Sequence, residues 1–187
     1  MRLKSYSKLN LSLRVLKKLK NRMHDIETNS VLINLYDEIN IKRSKKNIII
    51  FKGKFKKKVN KNKNTVLNTI KLLKKLKILK NPLKIIIKKN IPVFAGLGGG
   101  TSNSFSIARY FIGKKINEKL INLFAKNIGT DFRLFLYRSS FQKNLKKVVK
   151  KNDIPLTFII MFPNVNCRTK IYTKRLKITA SPLVTLT

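Results

Sequence analysis

Cysteine occurs once in 187 residues, at Cys167, and tryptophan not at all. A single thiol excludes a disulfide framework and a zinc site built from cysteines alone. It also makes a reducing cytosol the expected compartment. The one histidine, His24, has no partners from which to build a histidine-based metal centre. No apolar run approaches the ~18 residues needed to cross a bilayer, so no membrane partner is expected. The longest runs, around 48–51 and 158–162, are of strand length. The first fifteen residues alternate and carry charge throughout, unlike a signal peptide. Acids are scarce, 7 against 44 lysines and arginines. Glycine is scarce too, and four of the 7 fall in one stretch, GLGGGTSNS (96–104).

The formal net charge of +37 raises the question of a nucleic-acid partner. The lysines are spread along nearly every segment, as a lysine-, asparagine- and isoleucine-rich composition produces without selection for a binding face. Local clusters such as KFKKK (54–58) lack the interleaved aromatics on which single-stranded bases stack. RNA binding is therefore the less favoured class. A positive surface also attracts small polyanions and raises their encounter rate.

Hydrophobic residues make up 43%, enough for a globular core. Leu9, Leu11, Leu13 and Val15 alternate, which predicts a half-buried strand over 3–16. VLINL (31–35) and INI (39–41) flank Tyr36-Asp37-Glu38, read as a hairpin turn. NIIIFK (47–52) and LKIIIK (83–88) are strand-like, and the lysine- and asparagine-rich stretch 53–63 is a loop. Asn64 or Thr65 can cap a helix over 66–79, stopped by Pro82. A second helix is predicted over 102–112. A third runs over 118–127, capped by Asn117 and ended by Gly129. LTFIIMF (156–162) reads as a last strand. Strands first, then helices and strands mixed, predict an α+β fold.

The glycine stretch lies between a predicted strand and a predicted helix. Glycines allow positive φ and close approach of backbone to a ligand. Successive N–H groups and the helix N-terminus then form a cradle suited to phosphate. The alternative is a tight turn with no ligand, which needs only one or two glycines. The stretch is neither a P-loop, since no lysine follows Gly100, nor a dinucleotide fingerprint, since Thr101 occupies the sixth position. Composition alone cannot select Lys8 among so many lysines. Asp131 stands out among seven acids because it precedes an apolar run, where a carboxylate wants a cation partner; a helix cap or a structural ion pair is the alternative.

IPVFAGLGGGTSNS (91–104) resembles the P-x-x-x-G-L-G-S/G-S-S motif of the GHMP kinases, a family of small-molecule kinases. SYSKLNLSLRV (5–15) is similar to the strand that opens one branch of that family. NIGTDFRLFL (127–136) resembles its G-A/S-D-V-P-F-F segment. NRMHDIET, LYDEINI, NTVLNTI and IIMFPNVNCRT agree more weakly. The branch acts in non-mevalonate isoprenoid synthesis on a cytidine-diphosphate-linked methylerythritol.

The resemblance implies ATP-dependent phosphorylation of the 2-hydroxyl of that small molecule, with Mg²⁺. Pro92, Gly96, Leu97, Gly98, Gly99, Gly100, Thr101, Ser102 and Asn103 would hold ATP, with Ser102 also reaching the metal. Lys8 and Asp131 would be the catalytic pair; Asn10, His24 and Thr169 would contact substrate. Met23 stands in place of the tyrosine that normally precedes this histidine, and Arg133 where proline is common. The resemblance also implies a fold shared with a ribosomal protein domain over residues 1–153. Residues 154–187 would begin a ferredoxin-like second domain, most of which is missing. A second chain could complete it, or the protein could be an inactive nucleotide-binding remnant.

Overall fold

The computed structural model describes residues 1–18, 24–153 and 155–161. Its six strands are β1 (Arg2–Lys18), β2 (His24–Arg43), β3 (Ile48–Lys52), β4 (Leu83–Lys88), β5 (Ser139–Gln142) and β6 (Val148–Lys150). The helices are α1 (Thr65–Lys75), α2 (Gly99–Ile112) and α3 (Glu118–Ile128), with a 3-10 turn over Thr130–Leu136. The sheet order is β3-β4-β2-β5-β6, and β1 pairs antiparallel with β2. On its other edge, β2 pairs with β4 over Glu38–Arg43 and with β5 over Thr28–Val31. β3 runs parallel to β4, and the connection between them contains α1. The result is the α+β arrangement that the element order predicts.

One core holds the layers together. Ile39, Ile41, Ile85 and Ile87 of the sheet pack with Val66, Ile70 and Leu73 of α1, Ile107, Ala108 and Ile112 of α2, and Phe124 of α3. The alternation of buried and half-buried positions along β4 puts Leu83, Ile85 and Ile87 on one face, as a period of two requires. Both predicted asparagine caps form. Asn64 Oδ1 accepts the Leu67 N–H, and Asn117 Oδ1 accepts the Leu120 N–H, each at 3.0 Å.

Four expectations about where elements lie need correction. Tyr36-Asp37-Glu38 is not a turn: β2 runs unbroken from His24 to Arg43. The polar residues fit a strand because Asp37 is fully buried on a cation and two backbone amides, described below. α1 ends at Lys75, well before Pro82, because Lys77 turns to positive φ (56°) and Ile78 and Leu79 both donate back to the Leu73 carbonyl. α2 starts three residues early, with Gly99 and Gly100 inside the helix. Residues 156–161 form no strand, since no strand pairs with them among the described residues. Ile159 and Met161 stand 93% and 86% exposed. The remainder of the predicted second domain, residue 154 and residues 162–187, lies outside the described residues.

β1 departs from simple alternation in a way that shapes the site. Asn10 pairs with Ser30 and Ser12 with Asn29, so Leu11 is an extra residue, a β-bulge. A bulge reverses side-chain parity. Lys8 and Asn10 before it, and Leu13 and Val15 after it, therefore line the same cleft. Leu9, Leu11, Leu13 and Val15 do not form one buried face; Leu11 and Leu13 are exposed.

Candidate active site

The glycine stretch forms the turn from β4 into α2. Gly96 (φ 75°) and Gly98 (φ 68°) both take the left-handed backbone that L side chains resist. Gly98 has a second reason to be glycine. A Cβ there would stand 2.9 Å from Phe135 Cζ and 3.2 Å from Lys8 Cγ. At Gly99 it would meet the Ile91 side chain, at 2.9 Å. Gly98 is also the N-cap of α2 and offers no side chain to its free amides. The contrast with α1 and α3, both closed by asparagine, is chemical. The first-turn N–H groups of α2 keep their donors and the positive end of the helix dipole for an anion. Thr65, at the start of α1, steadies the turn by donating its hydroxyl to the Gly100 carbonyl at 2.7 Å.

β1 brings Lys8 to this turn by backbone and side chain together. The Lys8 N–H donates to the Leu97 carbonyl at 3.0 Å. Its buried ammonium donates to Asn10 Oδ1 at 2.8 Å and lies 3.2 Å from Asp131 Oδ2. Asp131 itself is held by its neighbour. Phe132 is fully buried, stacked on Phe124 of α3 and edge-on to Phe105 of α2, each with ring centroids 5.2 Å apart. The preceding Gly129 ends α3 and accepts the Phe132 N–H at 3.0 Å. Arg133 ties the same turn to α3 through Asn122 Oδ1 at 2.7 Å. Burial lowers the Arg133 pKa, and the charge of Glu118 opposes that shift.

Lys8, Asn10, Asp131 and the glycine turn share a cleft of about 750 Å³, within the usual range for a small-molecule site. Its walls include Leu13, Val15, His24, Ile26 and Thr28 from the β1–β2 hairpin. Phe51, Val59, Val66 and residues 92–97 line it too. Four lysines (8, 58, 63 and 89) line it against one carboxylate, Asp131. That imbalance suits a polyphosphate.

The structure brings together Lys8, Asn10, His24, Pro92, Gly96, Leu97, Gly98, Gly99, Gly100, Thr101, Asn103 and Asp131 in this cleft. Asn103 is almost wholly buried, and its Oδ1 accepts no hydrogen bond. Ser102 is placed elsewhere, which corrects its assignment to phosphate and metal. Its hydroxyl is buried against β1, bonded to Ser5 Oγ at 2.7 Å and to the Tyr6 carbonyl, because the helical turn rotates it toward the sheet. Within the glycine turn, Thr101 is the hydroxyl residue that lines the cleft. Thr169 and Met23 lie outside the described residues.

The sequence reading missed Lys89 and Asp37. The Lys89 ammonium is buried, paired with Asp37, and lies 3.4 Å from where a Gly99 Cβ would stand. Burial lowers the Lys89 pKa; Asp37 pulls it back up. Asp37 Oδ1 also accepts the N–H groups of Asn90 and Ile91, both at 2.8 Å, and so fixes the chain that enters the glycine turn. Two adjacent acids inside an otherwise strand-like run, YDEINI, are the signal that could have revealed this pair.

Comparison with known proteins bears on the family and the fold. Residues 64–134 match the family model for the GHMP kinases N terminal domain. The chain is 35% identical over 184 residues to 4-diphosphocytidyl-2-C-methyl-D-erythritol kinase of Pelagibacter ubique, covering 92% of this chain and 64% of that protein. It is 32% identical to the enzyme of the same name from Ureaplasma parvum, covering 91% of this chain and 68% of the relative. The chain belongs to the GHMP kinase family. It spans about two thirds of the length of these curated relatives. A crystal structure of 4-(cytidine 5'-diphospho)-2C-methyl-D-erythritol kinase superposes with a TM-score of 0.63 at 21% identity. The match covers 83% of this chain and 56% of that one. At that identity it shows the GHMP fold alone. No helix among the described residues is long and apolar enough to cross a membrane.

Proposed function

We propose that this chain transfers the γ-phosphoryl group of ATP to an alcohol, the 2-hydroxyl of 4-(cytidine 5'-diphospho)-2-C-methyl-D-erythritol. The observation that carries the reading is the buried Lys8 ammonium, 3.2 Å from Asp131, at the mouth of an uncapped helix. ATP fits the residues present: the glycine turn leaves the space a Cβ would fill, the first-turn amides of α2 lack a capping side chain, and lysines line the cleft. Phosphoryl transfer asks little covalent chemistry of a protein. Positioning and charge neutralisation dominate its loose transition state.

The α2 amides would hold the terminal phosphates. Asp131, about one-third exposed and open to the cleft, would accept the proton of the attacking hydroxyl or orient that hydroxyl in line. Lys8, fixed by Asn10 and by its own backbone bond to Leu97, would stabilise charge that builds on the transferred group. Mg²⁺, bound through phosphate oxygens, would neutralise part of the same charge. No cluster of three or more His, Cys, Asp or Glu side chains among the described residues is placed to cage it. Thr101 would be the hydroxyl nearest that work. His24, at the hairpin end of the cleft, would contact the cytosine ring, with Leu13, Val15 and Ile26 as its apolar surroundings.

The relatives' names and this cleft support one substrate. ADP release from Mg·ATP, measured with the cytidine-diphospho compound and with mevalonate and homoserine as controls, tests the choice. Turnover restricted to the cytidyl compound is the expected result. Turnover with a control and not with the cytidyl compound would overturn the substrate, and no turnover with any would overturn the activity.

A further inference from the structure

Phe94 combines two features that ordinary packing does not explain. Its φ is +65°, a conformation that a residue with a Cβ adopts at a cost. Its side chain is not repaid by burial: the residue is 55% exposed. Its ring has no aromatic or cation–π partner among the described residues. Yet Phe94 lines the cleft, just before the glycine turn. The two loops that follow the paired strands β3 and β4 stand side by side there, tied by the Phe55 N–H donating to the Lys89 carbonyl at 3.4 Å. Phe51, Val59 and Val66 supply apolar wall to the same cleft. A strained, half-open aromatic ring in a polyphosphate cleft that also has apolar wall has one evident chemical use. Every nucleobase presents a π-face, and stacking on an aromatic side chain is strong and tolerant of base identity.

We propose that Phe94 is a base-stacking residue, placing the purine ring of the bound nucleoside triphosphate against the cleft wall while the α2 amides hold its phosphates. The inference rests on the ATP-binding reading above. The left-handed backbone turns the ring toward the cleft instead of the core, and the strain persists because glycine, which would relieve it, offers no surface to a base.

The test compares Phe94→Gly, Phe94→Trp and the unaltered full chain, by titration with Mg·ADP and, separately, with Mg·pyrophosphate. Phe94→Gly should weaken ADP binding by about fivefold or more. Pyrophosphate binding should not change, and Tm should stay level or rise because the strained residue is gone. Phe94→Trp should keep ADP affinity within about twofold or improve it. This opposition, a fold no less stable and a nucleoside bound less well, is what a purely structural role would not give. Unchanged ADP affinity in Phe94→Gly, or equal losses for ADP and pyrophosphate, would overturn the inference while leaving the phosphate site standing. Failure of the unaltered chain to bind either probe would overturn the ATP-binding reading, and this inference with it.

Discussion

Alanine at Gly98 and at Gly96 should have different consequences, although both glycines have nearly the same backbone. Their φ values are 68° and 75°. Forcing a Cβ into that conformation costs about 1–2 kcal/mol at either site. At Gly96 nothing lies within 4 Å of the new methyl, so the backbone term is the whole effect. At Gly98 the methyl would stand 2.9 Å from Phe135 Cζ and 3.2 Å from Lys8 Cγ, both in tightly held side chains. Overpacking of this kind adds about 1–3 kcal/mol. The totals are therefore about 1–2 kcal/mol for Gly96→Ala and about 2–5 kcal/mol for Gly98→Ala. In a chain of this length each kcal/mol lowers Tm by about 2–4 °C. Gly98→Ala should also displace Lys8 from Asn10 and Asp131, so its ADP release should fall further than that of Gly96→Ala at a temperature where both are folded. Thermal unfolding by circular dichroism, with ADP release alongside, reads both effects. Equal Tm losses and equal activities would refute the claim that Lys8 packs against the glycine turn.

Lys89→Met should destabilise the fold by about 3 kcal/mol or somewhat more, because it leaves the fully buried Asp37 without its cation. Asp37→Asn combined with Lys89→Met should restore much of that loss in urea unfolding; a double variant no better than the single would contradict the account. Asn117→Ala should cost about 1 kcal/mol through the lost cap on the Leu120 N–H, and Asn64→Ala a similar amount, each seen as a lower urea midpoint with an unchanged slope. Lys88 holds the exposed Glu38 carboxyl below its ordinary pKa, first by a hydrogen bond and then by charge. The folded state thus favours the ionised form. The stabilisation is present above the ordinary carboxylate range and is lost as pH falls through the lowered value. Lys88→Met should flatten that part of the Tm–pH curve slightly, since the pair faces solvent. A steeper acid fall in the variant would show the sign to be wrong.

Much of the architecture was legible because local signals and tertiary packing agree. The asparagines before α1 and α3, the apolar spacing of Val66, Ile70 and Leu73, and the alternation in β4 each dictate an element that the core then uses. The failures have physical causes. The β-bulge at Leu11 is set by pairing with β2 and leaves no mark in the spacing of leucines. Asp37 and Glu38 resemble a turn locally, and it takes a lysine 52 residues away, with two backbone amides beside it, to make a buried carboxylate tolerable. Within the site, the glycine run and the resemblance around Lys8 and Asp131 named residues that the fold brings together. The direction of the Ser102 hydroxyl could not be read the same way, because it depends on how α2 rotates against β1. Phe94 carried no sequence signal at all, since its interest lies in a backbone angle.

The most direct test of the central claim compares Asp131→Asn with the unaltered chain in Mg·ATP-dependent phosphorylation of the cytidyl substrate. Asparagine keeps the shape beside Lys8 but cannot take the hydroxyl proton. The account predicts that turnover falls by about 10²–10⁴-fold while Tm and ADP affinity change little. Full turnover in that variant would contradict it.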